Sequence, residues 1–217
     1  MFPDEINTPR LQLTPVRPES VDVATLHERL FDASRPTVET ELRWLPWEPH
    51  HTLKETYDYI HDCGHQWDER ERATYCIRLG DGFDDAGASI GITYLDCFWP
   101  RRTAEMVMWT RKDHWNQGFM TEYGKAIHDL GFCDLGFDLM IADAIDGNDH
   151  AYNIFEHMTE AFDGQYDGLL RNWLPDGQTV HDVHRFSITR QQYRAAMGYV
   201  DEAAVETEPE THPATLD

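Results

Sequence analysis

The residues from His114 to Glu122, His-Trp-Asn-Gln-Gly-Phe-Met-Thr-Glu, sit where one regular element gives way to another. The apolar run Met106-Val107-Met108-Trp109 before them reads as a strand. After them, Met120, Tyr123, Ile127 and Leu130 fall at helical spacing within a segment from Phe119 to Asp134. At a strand-turn-helix junction the first helical N–H groups have no partner inside the helix and the dipole is positive. A diphosphate can dock there if the side chains stay small, and Gly118 lets the backbone approach. One glycine before a helix is, by itself, more often a plain turn or cap. Glu105 is the second residue with chemistry in it: a carboxylate half-buried among Met106, Met108 and Trp109 has a raised pKa, suited to accepting a proton. An outward-facing strand residue is the bland alternative. His61-Asp62-Cys63-Gly64-His65, with His50 and His51 nearby, holds metal-ligand residue types but lacks the paired spacing of a tetrahedral site, so no metal is expected.

Taken together, Ala104-Glu105-Met106-Val107-Met108-Trp109, then Trp115-Asn116-Gln117-Gly118-Phe119-Met120-Thr121-Glu122, then Asn148, resemble the acetyl-CoA-binding motif of the GCN5-related N-acetyltransferases (GNAT), in its RimJ/RimL-type branch. Asn116 and Val107 stand where that pattern has glycines. The resemblance implies acetyl-CoA as cosubstrate. The backbone amides of Gln117, Gly118, Phe119 and Met120 would hold its pyrophosphate, with the Thr121 hydroxyl beside them. The backbone around Trp109 and Thr110 would pair with the pantetheine arm, the neighbouring Ile141 strand splaying away to admit it, and Asn148 would bond to the same arm. It implies Glu105 as the group that takes the amine proton. The hydroxyl expected to protonate the departing thiolate is missing at Ala151, and the tyrosine found four residues later in other branches is Phe155. Tyr152 and His150 are the nearest titratable substitutes, Tyr152 the better match, and solvent is the other source. The acceptor would be a protein N-terminal amine or a small cationic amine. A CoA-binding sensor or scaffold without catalysis is the alternative that Ala151 and Phe155 keep open.

These residues need a scaffold, and the pattern of elements agrees with the one implied: α/β, a mixed and mostly antiparallel sheet of about seven strands with helices on both faces. Thr8–Arg17 reads as a first strand near an edge. Ser20 is the expected cap of a helix to about Phe31, and Thr52 of one from Leu53 to about Arg70 with a buried stripe of Tyr57, Ile60 and Trp67. Ala73–Leu79 and Ala88–Leu95 flank an acidic loop. Leu139–Ala144 fits a buried strand, Ala151–Phe162 a helix, and Tyr166–Trp173 with Thr179–Ile188 a hairpin turning at Pro175-Asp176-Gly177. Trp44 and Trp47, bracketing Pro46, are costly to leave in water. They close the bottom of the core or, as the resemblance implies, wall the acceptor pocket.

At 217 residues the chain fits a single domain, 1–199, followed by an acidic tail, 200–217. Forty Asp and Glu against eighteen Lys and Arg give a formal charge of −22, which argues against nucleic acid as a partner. Lysine occurs only at positions 54, 112 and 125. The acidic surface suggests adaptation to a cytosol of high salt, where self-repulsion is screened. No apolar run is long enough to cross a membrane. Cys63, Cys76, Cys97 and Cys133 show no close pairing, and the first residues lack an export signal, so a reducing cytoplasm is the expected location. Oligomeric state is left open, a homodimer included.

Overall fold

A computed structural model describes residues 1–45, 47–177 and 179–199. The expected acidic tail lies outside the described residues. In chain order the strands are β1 (Ile6–Asn7), β2 (Leu11–Pro15), β3 (Arg72–Leu79), β4 (Ser89–Phe98), β5 (Thr103–Thr110), β6 (Leu139–Ile145), β7 (Gln165–Asp176) and β8 (Thr179–Thr189). The helices are α1 (Val23–Leu26), α2 (Val38–Leu42), α3 (Leu53–Asp68), α4 (Phe119–Asp129), α5 (Asp149–Ala161) and α6 (Arg190–Ala196). One sheet runs β1-β2-β3-β4-β5-β6-β8-β7. The eighth strand, beyond the seven or so expected, is the two-residue β1, folded back on β2 through a turn that Thr8 closes by donating its N–H to the Leu11 carbonyl.

All pairings are antiparallel except β5 with β6, and that one is short. Only Thr103, Ala104 and Glu105 find partners, in Leu139, Met140 and Ile141. Beyond Glu105 the two strands part, and the chemistry described below is built in that opening.

Strand alternation sends Ala104, Met106 and Met108 to one face, where they join Leu13, Ile77, Tyr123, Ile127 and Phe155 in the larger core under α4 and α5. Trp109 goes to the other face and packs with Val16, Phe31, Ile60, Cys76 and Ile92 beneath α1 and α3. Helix α3 opens with a reciprocal capping box: the Thr52 side chain accepts from the Glu55 N–H, and the Glu55 carboxylate accepts from Thr52 N–H. Its buried face is Thr56, Ile60, Cys63, Gly64 and Trp67. Tyr57, expected there, is 49% exposed, because the stripe runs one residue earlier in register.

Helix α1 is capped by Asp22, whose carboxylate accepts from the Thr25 N–H at 2.8 Å, and not by Ser20; the Ser20 and Val21 N–H groups are already used in a turn onto the Arg17 carbonyl. The β7–β8 strands extend through Pro175 and Asp176, which face Val180 and Thr179, so the turn falls later than expected, at Gly177 with φ 56°.

Candidate active site

Glu105 lies at the fork, on the last β5 residue that pairs with β6. Its neighbours across the sheet are Asp96 of β4, directly opposite in register, and Asp143 of β6. Each of those two carboxylates has its own arginine: Arg72 binds Asp96 (Nη2–Oδ2 2.8 Å), and Arg185 binds Asp143 through two hydrogen bonds of 2.8 and 2.6 Å. Glu105 has no hydrogen bond or ion pair with any described residue. Burial first, then repulsion by Asp143 and Asp96, pushes its pKa from 4.5 up to about 7, against the weaker pull of Arg185 and Arg72. A carboxylate poised there exchanges a proton near neutrality, as a general base must.

From Met106 onward the free flank of β5 lines a cleft of about 400 Å³, closed opposite by Asp143, Ile145 and the start of α5. Trp109 and Thr110 both border it. Thr110 is buried, 1% exposed, and its hydroxyl has no hydrogen-bond partner among the described residues. The Thr110 carbonyl is already taken, accepting from the Trp115 indole N–H at 2.8 Å. Asn148 caps α5, its Oδ1 accepting from the Ala151 N–H at 3.2 Å while it lines the cleft.

A smaller hollow of about 140 Å³ continues the cleft to the start of α4, between residues 114–116 and 118–121 on one side and His150 and Ile154 on the other. Asn116 and Gly118 hold positive φ, 58° and 75°, which turns the backbone sharply into the helix. Gly118 supplies no side-chain cap, and the N–H groups of Phe119, Met120 and Thr121 have no partner among the described residues. Open first-turn amides, a glycine where the backbone must be approached, and the orphaned Thr110 hydroxyl together fit a diphosphate carried on a polar arm.

The expected residues therefore separate. Trp109, Thr110 and Asn148 line the cleft and Gly118-Phe119-Met120-Thr121 the hollow; Glu105 stands on β5 one residue before the first that lines the cleft, and Gln117 lines neither, its carbonyl accepting from Arg10 and its side-chain amide donating to the Asp113 carbonyl. Tyr152 does not: its ring packs against Tyr166, His184 and Phe186, and it does not line the cleft. From that turn of α5, His150, Ala151 and Phe155 border the cleft instead. The two loop tryptophans also divide. Trp44 lies on the cleft, its ring edge reaching to within 3.6 Å of a Cβ built at Gly147 on the far bank. Trp47 is packed edge-on among Tyr59, Tyr94 and Trp109 in the core.

Several residues that matter here carried no recognisable signal alone. Glu41, its side chain fully buried, accepts from Arg35, the Thr37 hydroxyl and the Lys112 N–H, and so ties α2 and the Trp44 loop to the end of β5. Arg10 bridges the Glu122 carboxylate (Nε–Oε2 2.6 Å) and the Gln117 carbonyl (2.9 Å), bracing the turn before α4 from behind. Both members of that pair stand in stretches singled out for other reasons, Thr8–Leu11 and His114–Glu122; nothing local shows that they meet. Among the described residues no group of three or more His, Cys, Asp or Glu could hold a metal ion, and no helix is long and apolar enough to cross a membrane.

A forked sheet with open amides at the fork's outer end is the architecture of acetyl-CoA-using transferases. Residues 10–158 match the family model for the acetyltransferase (GNAT) domain, and the chain belongs to that family. Acetyl-CoA is the acyl donor its members use. No curated protein matches the sequence. Among solved structures the fold is shared with a GNAT acetyltransferase from Bacillus anthracis (TM-score 0.67, 15% identity, 86% of this chain and 99% of that one). It is shared also with a chain from Vibrio cholerae proposed to be a ribosomal-protein-serine acetyltransferase (0.69, 16%, 87% and 99%). A third is the Vibrio cholerae spermidine N-acetyltransferase solved with CoA and spermine (0.64, 16%, 84% and 97%). At these identities the likeness is one of fold.

Proposed function

We propose that this acetyltransferase is an N-acetyltransferase of the RimJ/RimL type, acting on a primary amine by direct attack while both substrates are bound. The unpaired, half-buried Glu105 is the observation that carries the reading. The acceptor enters as an ammonium and loses a proton to Glu105, directly or through water. The neutral nitrogen attacks the thioester carbonyl, the C–S bond breaks, and the proton that the new amide nitrogen sheds passes through water in the cleft to the departing thiolate, Tyr152 being packed against Tyr166, His184 and Phe186. The amides of residues 117–120 and the hydroxyl of Thr121 hold the pyrophosphate. Trp109, Thr110 and Asn148 guide the arm, and Trp44 covers the acceptor end. Trp47 supports Trp109 from the core.

A protein N-terminus or a small amine fits equally with a fork at which Arg72 and Arg185 are each neutralised by a carboxylate, leaving Glu105 to meet the incoming charge. We place the reaction in a reducing, salt-rich cytoplasm, in keeping with the reduced cysteines and the acidic surface. Glu105→Gln keeps the shape and removes the base. It should lower kcat by about 10²- to 10⁴-fold while calorimetry shows acetyl-CoA binding unchanged. Full activity in that variant would exclude Glu105 as the base; no activity in the wild type toward peptides or amines, with binding intact, would favour a non-catalytic CoA-binding protein.

A further inference from the structure

The hollow at the start of α4 has an unusual electrostatic make-up for a diphosphate site: among the described residues no Lys or Arg lines it. Two arginines stand near it: Arg10, behind the turn, with its charge met by Glu122 and the Gln117 carbonyl, and Arg111, paired with Asp113. What lines the hollow besides backbone, apolar side chains, Asn116 and the Thr121 hydroxyl is a pair of imidazoles, His114 and His150. They come from different elements, the turn before α4 and the first turn of α5. Neither makes a hydrogen bond with a described residue. His150 stacks on Trp115, centroids 4.8 Å apart and planes 27° apart, and His114 leans on Phe119. On the adjoining cleft the buried Thr110 hydroxyl is likewise without a hydrogen-bond partner among the described residues.

We propose that His114 and His150 complete the diphosphate subsite and become its cations, so that the cosubstrate binds together with protons taken up from solvent. This rests on the cosubstrate reading above. Without ligand both rings favour the neutral form. Burial holds His114 below the usual histidine range, reinforced by Arg111 and opposed by Asp113, Asp85 and Glu41; burial alone does so for His150, whose charged neighbour on α5 is Asp149. A doubly negative group set between them reverses that preference. The sign follows by linkage. A group whose pKa is raised on binding adds affinity in full below its unliganded pKa, and the gain is lost as pH rises through the liganded one.

Dephospho-CoA is the right probe, because its diphosphate stays fully ionised across the neutral range and it carries no separate phosphate that titrates there. Calorimetry of the intact chain at about pH 6 and about pH 8, in buffers of different ionisation enthalpy, should show net proton uptake. Affinity should fall by about tenfold or more between the two pH values. Replacing both residues (His114→Gln with His150→Gln) should flatten the dependence and abolish the uptake, and His150→Lys, a fixed cation, should restore affinity at the higher pH. Thermal melts identify any variant that fails to fold, and the wild-type pH profile stands without the variants. Equal affinity at both pH values, no proton uptake, or a slope that survives the double substitution overturns the proposal and leaves the cosubstrate site standing. No binding of dephospho-CoA at any pH overturns the site itself, and the proposal with it.

Discussion

Glu105 shows how a single residue can be costly to the fold and suited to the reaction proposed for it. Its carboxyl ordinarily titrates near 4.5 and here near 7, so the folded chain holds a proton that the unfolded chain releases between those values. With the folded pKa raised, stability falls as pH climbs through that window and stays lower above it, by about 3 kcal/mol at 1.36 kcal/mol per pH unit. Glu105→Gln should accordingly melt higher than wild type at pH 8 and match it near pH 4, while losing turnover. Wild-type kcat/KM should rise with pH to a plateau above about 7. A melt unchanged at both pH values would show that the carboxyl is not desolvated. The position of Glu105 on a strand beside apolar residues was legible in the sequence. The two aspartates that raise its pKa were not, since Asp96 and Asp143 come from strands 9 and 38 residues away.

The elements around the site are held by contacts that periodicity does not reveal. Helix α2 is only five residues long and could not persist alone. It is kept in place by Glu41, which gathers Arg35, the Thr37 hydroxyl and the Lys112 N–H in a buried cluster. Glu41→Ala leaves a buried guanidinium without its partner, a loss of about 3–5 kcal/mol by precedent for broken buried pairs. At roughly 2–4 °C per kcal/mol for a chain of this size, Tm should drop by on the order of 10 °C. The Trp44 loop should loosen with it, which hydrogen exchange across residues 38–45 would report; a drop in Tm without faster exchange there would mean that Glu41 does not anchor the loop. The strands and longer helices were visible in the sequence because their apolar spacing is regular, and Thr52 was visible as a cap because Glu55 follows at the right interval. The split between Trp44 and Trp47 was not: both look alike as tryptophans beside Pro46, and the core beneath Trp47 is assembled from Tyr59, Tyr94 and Trp109, all distant in sequence.

Across the whole molecule, a charge of −22, of which −16 falls within residues 1–199, makes self-repulsion a term in stability. Salt shortens the range of that repulsion to about 3 Å at 1 M, from roughly 30 Å in dilute buffer. Tm should therefore rise markedly between dilute buffer and molar KCl. An unchanged Tm would sink the proposal of a salt-adapted surface. The same screening should weaken any attraction between the acidic protein and a cationic acceptor, so KM for the amine should increase with salt even as the fold gains stability.

The sequence by itself determined the class of fold, through the alternation of strands and the spacing of helices, whereas the proposed cosubstrate loop and candidate base were legible only as a motif, a glutamate on a strand followed by a glycine at a helix start, that resembles a family's. Only the tertiary structure decided which residues act together. The parting of β5 from β6 after Glu105 creates the cleft, the direction of α5 withdraws Tyr152 from it and presents His150, and long-range pairs such as Arg10–Glu122 and Arg185–Asp143 neutralise charges that look free along the chain. Side-chain contact across a sheet is a property of strand order and register, and neither is written in any one segment.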